Sequence, residues 1–165
     1  MIEIIHVETK DQVSIVRELF LEYAKSLGFS LCFQDFDKEL ARLPGEYAPP
    51  DGRLFIALDD TDAIGCIALR KLDEGICEMK RLYVKPSCRG KGLGKLLVQT
   101  VIDEAVKIGY KKMRLDTVPK MKEAIDLYRK IGFKEIKPYR ENPIEGALYM
   151  EMELVDSKSV SSSLS

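Results

Sequence analysis

The chain has 165 residues, with 26 basic and 27 acidic side chains and a net charge of −1 at neutral pH. This length is enough for one domain that buries about two thirds of its unfolded surface, and the balanced charge gives no reason for non-specific binding to nucleic acid or an anionic membrane. We predict a single domain over residues 1–155 and a disordered, serine-rich tail over residues 156–165.

The cysteines and the N-terminus bear on the compartment. Cys32, Cys66, Cys77 and Cys88 form no C-x-x-C pair, and three of them lie in apolar strand-like or loop-start surroundings. We predict reduced thiols that act as small buried hydrophobes. The N-terminus lacks the pattern of a signal peptide, and no apolar run is long enough to span a bilayer. The expectation is a soluble, cytoplasmic protein.

The first half of the chain predicts a strand, two helices and an antiparallel meander. Thr9 and Gln12 are spaced as a capping box in front of a helical apolar pattern. Residues 29–33 are apolar, which favours core packing and leaves one wall of a substrate pocket as the alternative. His6, the only histidine, is predicted at a strand end rather than as a ligand or base. The predicted elements are strands at 2–7, 53–58, 63–72 and 76–84 and helices at 10–27 and about 35–43.

The apolar pattern changes phase within the last strand of this meander. Cys77 and Met79 share one face, whereas Leu82 and Val84 lie on the other face by strict alternation. One extra residue near positions 80–81, a β-bulge, would return both pairs to a common face. Such a bulge would free backbone groups to face a ligand.

A glycine-rich stretch at residues 89–95 predicts an anion site. Its three glycines stand at every second position, and the helix that opens at Gly92 adds unpaired N–H groups and the positive end of its dipole. It is not a P-loop, because Arg89 replaces the first glycine and Leu96 replaces the Ser or Thr. It is not a dinucleotide fingerprint, because Lys95 stands where the third glycine is required. The expected ligand of this site is a diphosphate group.

The second half predicts a helix after the glycine loop and a strand that runs parallel to the strand at 76–84 through a crossover. A loop at residues 138–146 is long enough to cover a substrate. The remaining predicted elements are a strand at 112–117, a helix at 118–131 and strands at 133–136 and 147–154.

The pattern Arg89-x-x-Gly92-x-Gly94 resembles the acyl-CoA pyrophosphate loop of the GNAT superfamily of N-acetyltransferases. Residues 78–86 and 124–133 resemble the neighbouring motifs of that family in the same order and spacing, so the resemblance covers roughly half the chain. It implies an α/β fold with a mixed, mostly antiparallel central sheet of about seven strands, a parallel central pair and about four flanking helices.

The resemblance also implies an activity. The expected reaction transfers an acetyl group from acetyl-CoA to a primary amine of a small molecule or peptide by direct attack on the thioester, without a metal. A non-catalytic acyl-CoA-binding or sensing module is the alternative, and a homodimer stays open. The implied cofactor-binding residues are Leu82, Tyr83, Val84, Arg89, Gly90, Lys91, Gly92, Leu93, Gly94 and Lys95.

Two side chains are candidates for proton transfer. Glu78 matches the position at which some family members place a catalytic glutamate base, and a solvated strand glutamate is the alternative. Tyr128 matches the family's tyrosine acid near the CoA sulfur, and a core tyrosine is the alternative. Met121 stands where the family often carries Asn, which puts one cofactor contact in doubt.

The acceptor is not determined by the sequence. An amino acid, a polyamine, an aminoglycoside and a protein N-terminus all remain open. The residues predicted to surround it are Tyr139, Arg140, Glu141, Glu145 and the connector at 27–33.

Overall fold

The computed structural model describes residues 1–27, 36–142 and 144–154. Within them the strands are β1 (Ile2–His6), β2 (Arg53–Asp59), β3 (Asp62–Asp73), β4 (Ile76–Val84), β5 (Lys112–Thr117), β6 (Lys134–Ile136) and β7 (Leu148–Glu153). The α-helices are α1 (Lys10–Leu27), α2 (Phe36–Arg42), α3 (Leu93–Ile108) and α4 (Lys122–Ile131). Short 3₁₀ turns occupy Gly45–Tyr47 and Pro86–Cys88.

All seven described strands form one sheet in the order β1-β2-β3-β4-β5-β7-β6. Among the described strands β4 and β5 are the parallel pair, and their neighbours run antiparallel. The predicted fold class, a mixed and mostly antiparallel seven-stranded sheet with a parallel pair and four helices, is therefore confirmed for this part of the chain.

Alternation along the strands gives the sheet two apolar faces, and each face is covered by helices. One core lies beneath α3 and α4, where Leu97, Val98 and Val101 of α3 are completely buried. The other lies beneath α1 and α2 and includes the completely buried Val16 and Phe20 of α1. The sheet therefore separates the helix that follows the glycine loop from the helices at the opposite face.

The predicted capping box of α1 is present. The backbone N–H of Thr9 donates to Gln12 Oε1 at 3.0 Å, and the backbone N–H of Gln12 donates to Thr9 Oγ1 at 3.1 Å. These two bonds satisfy donors that a helix start otherwise leaves unpaired. As predicted, α1 spans residues 10–27.

Helix α4 begins later than the sequence pattern predicts, at Lys122 rather than at residue 118. Pro119 disfavours helical backbone at Val118, the residue before it. The Val118 carbonyl instead accepts a turn hydrogen bond of 2.9 Å from the N–H of Met121, which is the N-cap of α4. The predicted start at residue 118 is therefore wrong by four residues.

Cys66 and Cys77 are buried and Cys88 is half-buried, and all three are free thiols. Cys32, the apolar connector at 29–33 and the tail at 156–165 lie outside the described residues. Within the described ranges, no helix combines the length and the apolar character that a membrane crossing requires.

Candidate active site

The parallel strands β4 and β5 separate part-way along their length. Their pairing covers three positions and ends where Glu78 lies beside Arg114. β4 continues to Val84 and β5 continues to Thr117, but no ladder joins these described segments beyond that level. One edge of β4 therefore carries backbone N–H and C=O groups that are open to an extended ligand, as in strand addition.

The predicted β-bulge lies in this open part of β4. Cys66 of β3 is paired with Tyr83 and Ala68 with Lys80, so residues 81–82 of β4 face the single residue Ile67. Arg81 adopts φ 60°, which is uncommon for a residue with a side chain.

The bulge has the predicted effect on the apolar phase. Cys77 and Met79 lie in the core beneath α3, and the partly buried Leu82 and Val84 pack against the same core. Strict alternation would have sent the second pair to the opposite face.

The side chain of Arg81 is bound by helix α2, on the side of the sheet opposite to α3. Its Nε and Nη2 donate to the two carboxylate oxygens of Glu39 in α2, each at 2.9 Å, and its guanidinium stacks over the Phe36 ring at 5.3 Å from the ring centroid. The side chain of Arg81 is only 3% exposed. Helix α2 is thereby tied to the bulge that shapes the open edge of β4.

The glycine loop lies at the far end of this open edge. Gly90 and Gly92 have φ of 82° and 79°, and a Cβ at either position would meet no atom within 4 Å. Gly92 caps α3 without a side-chain hydrogen bond to the first turn of the helix. The loop therefore combines free helix N–H groups with open space, which fits a diphosphate.

The predicted cofactor-binding side chains differ in where they point. Lys91 and Lys95 are exposed beside the loop. Arg89 turns back, and its Nε donates to the Val84 carbonyl at 3.0 Å, while the Tyr83 hydroxyl donates to Glu22 Oε2 of α1 at 3.1 Å. The Tyr83 backbone is paired with Cys66 of β3, so the groups left for an extended ligand on the open edge of β4 are those of its neighbours Leu82 and Val84.

A cleft occupies the space between the separated strands. Side chains from α1, β4, β5 and the start of α4 line it. They include the predicted acid Tyr128 and Met121, which stands where the family often carries Asn. The full lining is Tyr23, Met79, Lys80, Arg81, Leu82, Leu115, Asp116, Thr117, Met121 and Tyr128. No group of three or more potential metal-ligating side chains is found among the described residues.

Tyr128 enters the cleft from α4. Its ring is 6% exposed and packs edge-on against Phe133 at a centroid distance of 5.7 Å. Burial raises the pKa of its hydroxyl well above the usual tyrosine range, so the group stays protonated. Tyr128 is therefore a core tyrosine that also lines the cleft, and its role as the proton donor stays a prediction.

Glu78 is not a solvated strand glutamate, because its side chain is completely buried. Oε1 accepts from Nε of Arg70 at 2.9 Å and lies 2.9 Å from Nη2 of the same guanidinium. Oε2 accepts from the Tyr139 hydroxyl at 2.7 Å and from Nη2 of Arg140. Burial alone would raise the pKa of this carboxyl. Lys80, Arg70 and Arg140, with the Tyr139 hydrogen bond, outweigh burial and lower the pKa.

The loop predicted to cover the substrate does reach the two central strands. Besides the contacts of Tyr139 and Arg140 with Glu78, the Asn142 side chain contacts Asp116 of β5 at 3.4 Å. The Tyr149 hydroxyl of β7 donates to the Arg140 carbonyl at 2.7 Å and fixes the loop. Glu141 and Glu145, also predicted near the acceptor, are exposed.

Sequence reasoning missed two cleft residues, Lys80 and Asp116. Lys80 is 9% exposed, and burial together with the nearby Arg81 lowers the pKa of its amine to about 8. Asp116 lies two residues beyond the last β4–β5 pair, on the same face of β5 as Arg114. The available signal was the alternation of charged residues in β5 at 112, 114 and 116. It was not decisive, because a solvated strand face gives the same pattern.

Comparisons with known proteins agree with this architecture. The sequence profile of the Acetyltransferase (GNAT) family matches residues 15–133. An uncharacterized N-acetyltransferase of Schizosaccharomyces pombe, C1271.07c, is 44% identical over 138 residues, which cover 82% of this chain and 85% of that protein.

Two solved structures share the fold. A GNAT-family acetyltransferase of Staphylococcus aureus superposes with a TM-score of 0.79 at 22% identity, covering 94% of this chain and all of that one. The PaiA N-acetyltransferase of Thermoplasma acidophilum, solved in complex with coenzyme A, gives a TM-score of 0.70 at 22% identity, covering 93% of this chain and 99% of that one. The chain belongs to the acetyltransferase (GNAT) family and is an acetyl-CoA-dependent N-acetyltransferase.

Proposed function

We propose that this enzyme transfers the acetyl group of acetyl-CoA directly to a primary amine of a small molecule or peptide, in the cleft between β4 and β5. The observation that carries the proposal is the unpaired edge of β4. This edge begins beyond Glu78, where the pairing with β5 ends, and runs toward the glycine loop, and Tyr128 lines the cleft beside it.

The donor fits the chain's own groups. Backbone N–H groups of residues 89–95, with Lys91 and Lys95 beside them, suit the pyrophosphate. The open backbone of Leu82 and the N–H of Val84, whose carbonyl already accepts from Arg89 Nε, suit the amide groups of the pantetheine arm. The backbone at the bulge supplies an N–H that can stabilise the oxyanion formed at the thioester carbonyl.

Tyr128 is the proposed proton donor to the departing sulfur. Within the described residues its hydroxyl makes no hydrogen bond, so it is available to a group in the cleft. The hydroxyl is protonated at neutral pH, as a general acid must be.

For Glu78, a role as base stays a prediction, and the contacts of its carboxylate support a positioning role. Both oxygens already have close arginine or tyrosine partners, and the lowered pKa makes the carboxylate a weaker proton acceptor. Through Arg140 the same carboxylate orients the loop over the acceptor side of the cleft.

The test measures thiol release from acetyl-CoA over a broad panel of primary amines, amino acids and peptides, with calorimetry of acetyl-CoA binding in parallel. The expected result is binding together with release that requires an amine, and acetylated product identified by mass spectrometry. Tight binding with no product from any member of the panel would contradict the proposal.

A further inference from the structure

We propose that Asp116 binds the ammonium group of the acceptor and takes its proton, so that the site selects primary alkylamines over nitrogen nucleophiles that are neutral at physiological pH. This inference rests on the proposed acetyl transfer, and it names the class of acceptor and a catalytic residue that sequence reasoning missed.

The position of Asp116 is the first step of the argument. It lines the cleft just beyond the level at which β4 and β5 separate. Since Arg114 and Asp116 share a face of β5, Asp116 points to the face that holds Glu78 and Arg140, whereas the intervening Leu115 lies in the opposite core with Tyr128. A thioester on the open edge of β4 would therefore have the carboxylate on one side and the tyrosine acid on the other.

The contacts of Asp116 are the second step. Its side chain is 6% exposed, yet its oxygens have only two long contacts within the described residues, 3.5 Å from Arg140 Nη1 and 3.4 Å from Asn142 Nδ2. Glu78, which is completely buried, accepts three close hydrogen bonds and has a further ion-pair contact of 2.9 Å with Arg70 Nη2. A buried carboxylate with weakly bound oxygens has capacity for a further donor, and a carboxylate prefers a cationic one.

The neighbouring charges are the third step. Arg140 is the cation nearest to Asp116 among the described ion pairs, but it makes its shorter contact with Glu78. Its charge is therefore engaged mainly by Glu78. The second cation of the cleft, the buried Lys80 amine, also acts on Asp116 through its charge, but its pKa is lowered to about 8 and its described ion pair is with Glu78. Among the described ion pairs, neither cation therefore has a contact with Asp116 shorter than 3.5 Å. An acceptor ammonium beside Asp116 would complete the charge balance of the buried group.

The chemistry balances with the residues present. One ammonium proton passes to the Asp116 carboxylate and from there to water, and the amine nitrogen forms the C–N bond to the thioester carbonyl carbon. The C–S bond breaks, and Tyr128 protonates the thiolate. The Tyr128 oxygen then takes a second proton from the nitrogen, which restores the hydroxyl. The third proton of the original ammonium group remains on the nitrogen of the amide product.

The test uses matched pairs of probes that differ mainly in charge. 2-Phenylethylamine is compared with O-benzylhydroxylamine, and ethylamine with methoxyamine, because in each pair one CH₂ is replaced by oxygen and the nitrogen of the oxygen analogue is neutral at neutral pH. The kcat/KM of each probe is measured by thiol release for the wild type, Asp116→Asn and Asp126→Asn. Asp126 is an exposed carboxylate of α4 and serves as the control.

Asp116→Asn should lower kcat/KM for the alkylamines by about 10- to 100-fold, the loss expected for one hydrogen bond to a charged group. The oxyamines should change by less than about threefold, and Asp126→Asn should leave all four probes unchanged. If Asp116 had only a structural role, Asp116→Asn would lower kcat/KM for the alkylamines and for the oxyamines by the same factor. That result would overturn the inference.

Equal rates of Asp116→Asn and wild type with the alkylamines would also overturn it. If the wild type acetylates other amines of the panel but neither alkylamine, the acceptor class is wrong while the proposed transfer stands. If it acetylates no amine at all, both fail.

Discussion

At the residue scale, the cleft places two carboxylates of similar burial in different surroundings. Glu78 is bound by two arginines and a tyrosine, whereas Asp116 has only distant partners. The two carboxylates therefore differ in how many close donors surround them, although their side-chain chemistry is the same.

Tyr128→Phe tests the acid. A positioned acid typically contributes about 10²–10⁴-fold, so kcat should fall by at least roughly 10² where chemistry limits turnover, while acetyl-CoA affinity changes little. Steady-state and single-turnover kinetics measure kcat, and calorimetry measures the acetyl-CoA affinity. The phenyl ring keeps the packing against Phe133.

The control for this variant is Tyr110→Phe. Tyr110 is also buried, but its hydroxyl donates to the Asp51 carbonyl at 2.7 Å, away from the cleft. We expect a loss of about 1 kcal/mol in stability and unchanged kcat. Wild-type kcat in Tyr128→Phe under chemistry-limited conditions would assign the proton transfer to another group or to water.

At the element scale, the glycine loop is tested with Gly92→Glu. The positive φ strains any residue with a side chain, and the added carboxylate would fill the open space and repel a diphosphate. Acetyl-CoA affinity measured by calorimetry should fall by at least about tenfold, or roughly 1.4 kcal/mol.

Gly109→Glu is the matched control, because Gly109 caps the other end of α3 with φ 108° and equally open surroundings. This variant should show similar backbone strain, of order 1–3 kcal/mol, with unchanged acetyl-CoA affinity. Equal losses of affinity in the two folded variants would mean that strain in α3, rather than the loop, controls binding.

A second element-scale prediction concerns the connection between α2 and the bulge. Glu39→Gln removes the charge that pairs with the buried Arg81, and breaking one partner of a buried pair typically costs about 3–5 kcal/mol. Chemical denaturation should show this loss. Glu74→Gln, in the exposed i,i+3 pair with Lys71, should leave the denaturation midpoint nearly unchanged. Comparable losses at both positions would show that the Arg81 pair has no special role.

At the scale of the whole molecule, Glu78 couples stability to pH. Its folded pKa is lowered, so its contribution to the free energy of unfolding is present above the unfolded carboxyl pKa and is lost as pH falls through the lower folded value. Glu78→Gln should therefore be strongly destabilised at pH 7. Because the wild type loses the same contribution in acid, the difference should shrink as the pH falls below about 4.5.

Denaturation curves between neutral and acid pH measure this difference. Glu104→Gln is the control, since Glu104 forms a half-exposed ion pair with Arg53 outside the cleft. A destabilisation by Glu78→Gln that does not change with pH would mean that packing, and not ionisation, underlies it.

Periodicity in the sequence alone determined most of the framework. The helical stripe of α3, the capping box of α1 and the phase slip in β4 are local patterns, and each predicted its element correctly. The glycine spacing predicted where the backbone leaves room for an anion, because positive φ is a local property of glycine. The late start of α4 was readable as well, since Pro119 acts on its own neighbour.

Only the tertiary structure decided how the charges are shared. Glu78 contacts Arg70 eight residues away, and it contacts Tyr139 and Arg140 more than 60 residues away. The strand pattern fits a solvated glutamate equally well, and only these long-range contacts show that the carboxylate is buried and hydrogen-bonded. Asp116 became a candidate through the separation of β4 and β5, which depends on the pairing of distant segments. Long-range pairing sets burial, and burial with partner distance sets what an ionisable group can do, so neither could be predicted from the spacing of residues.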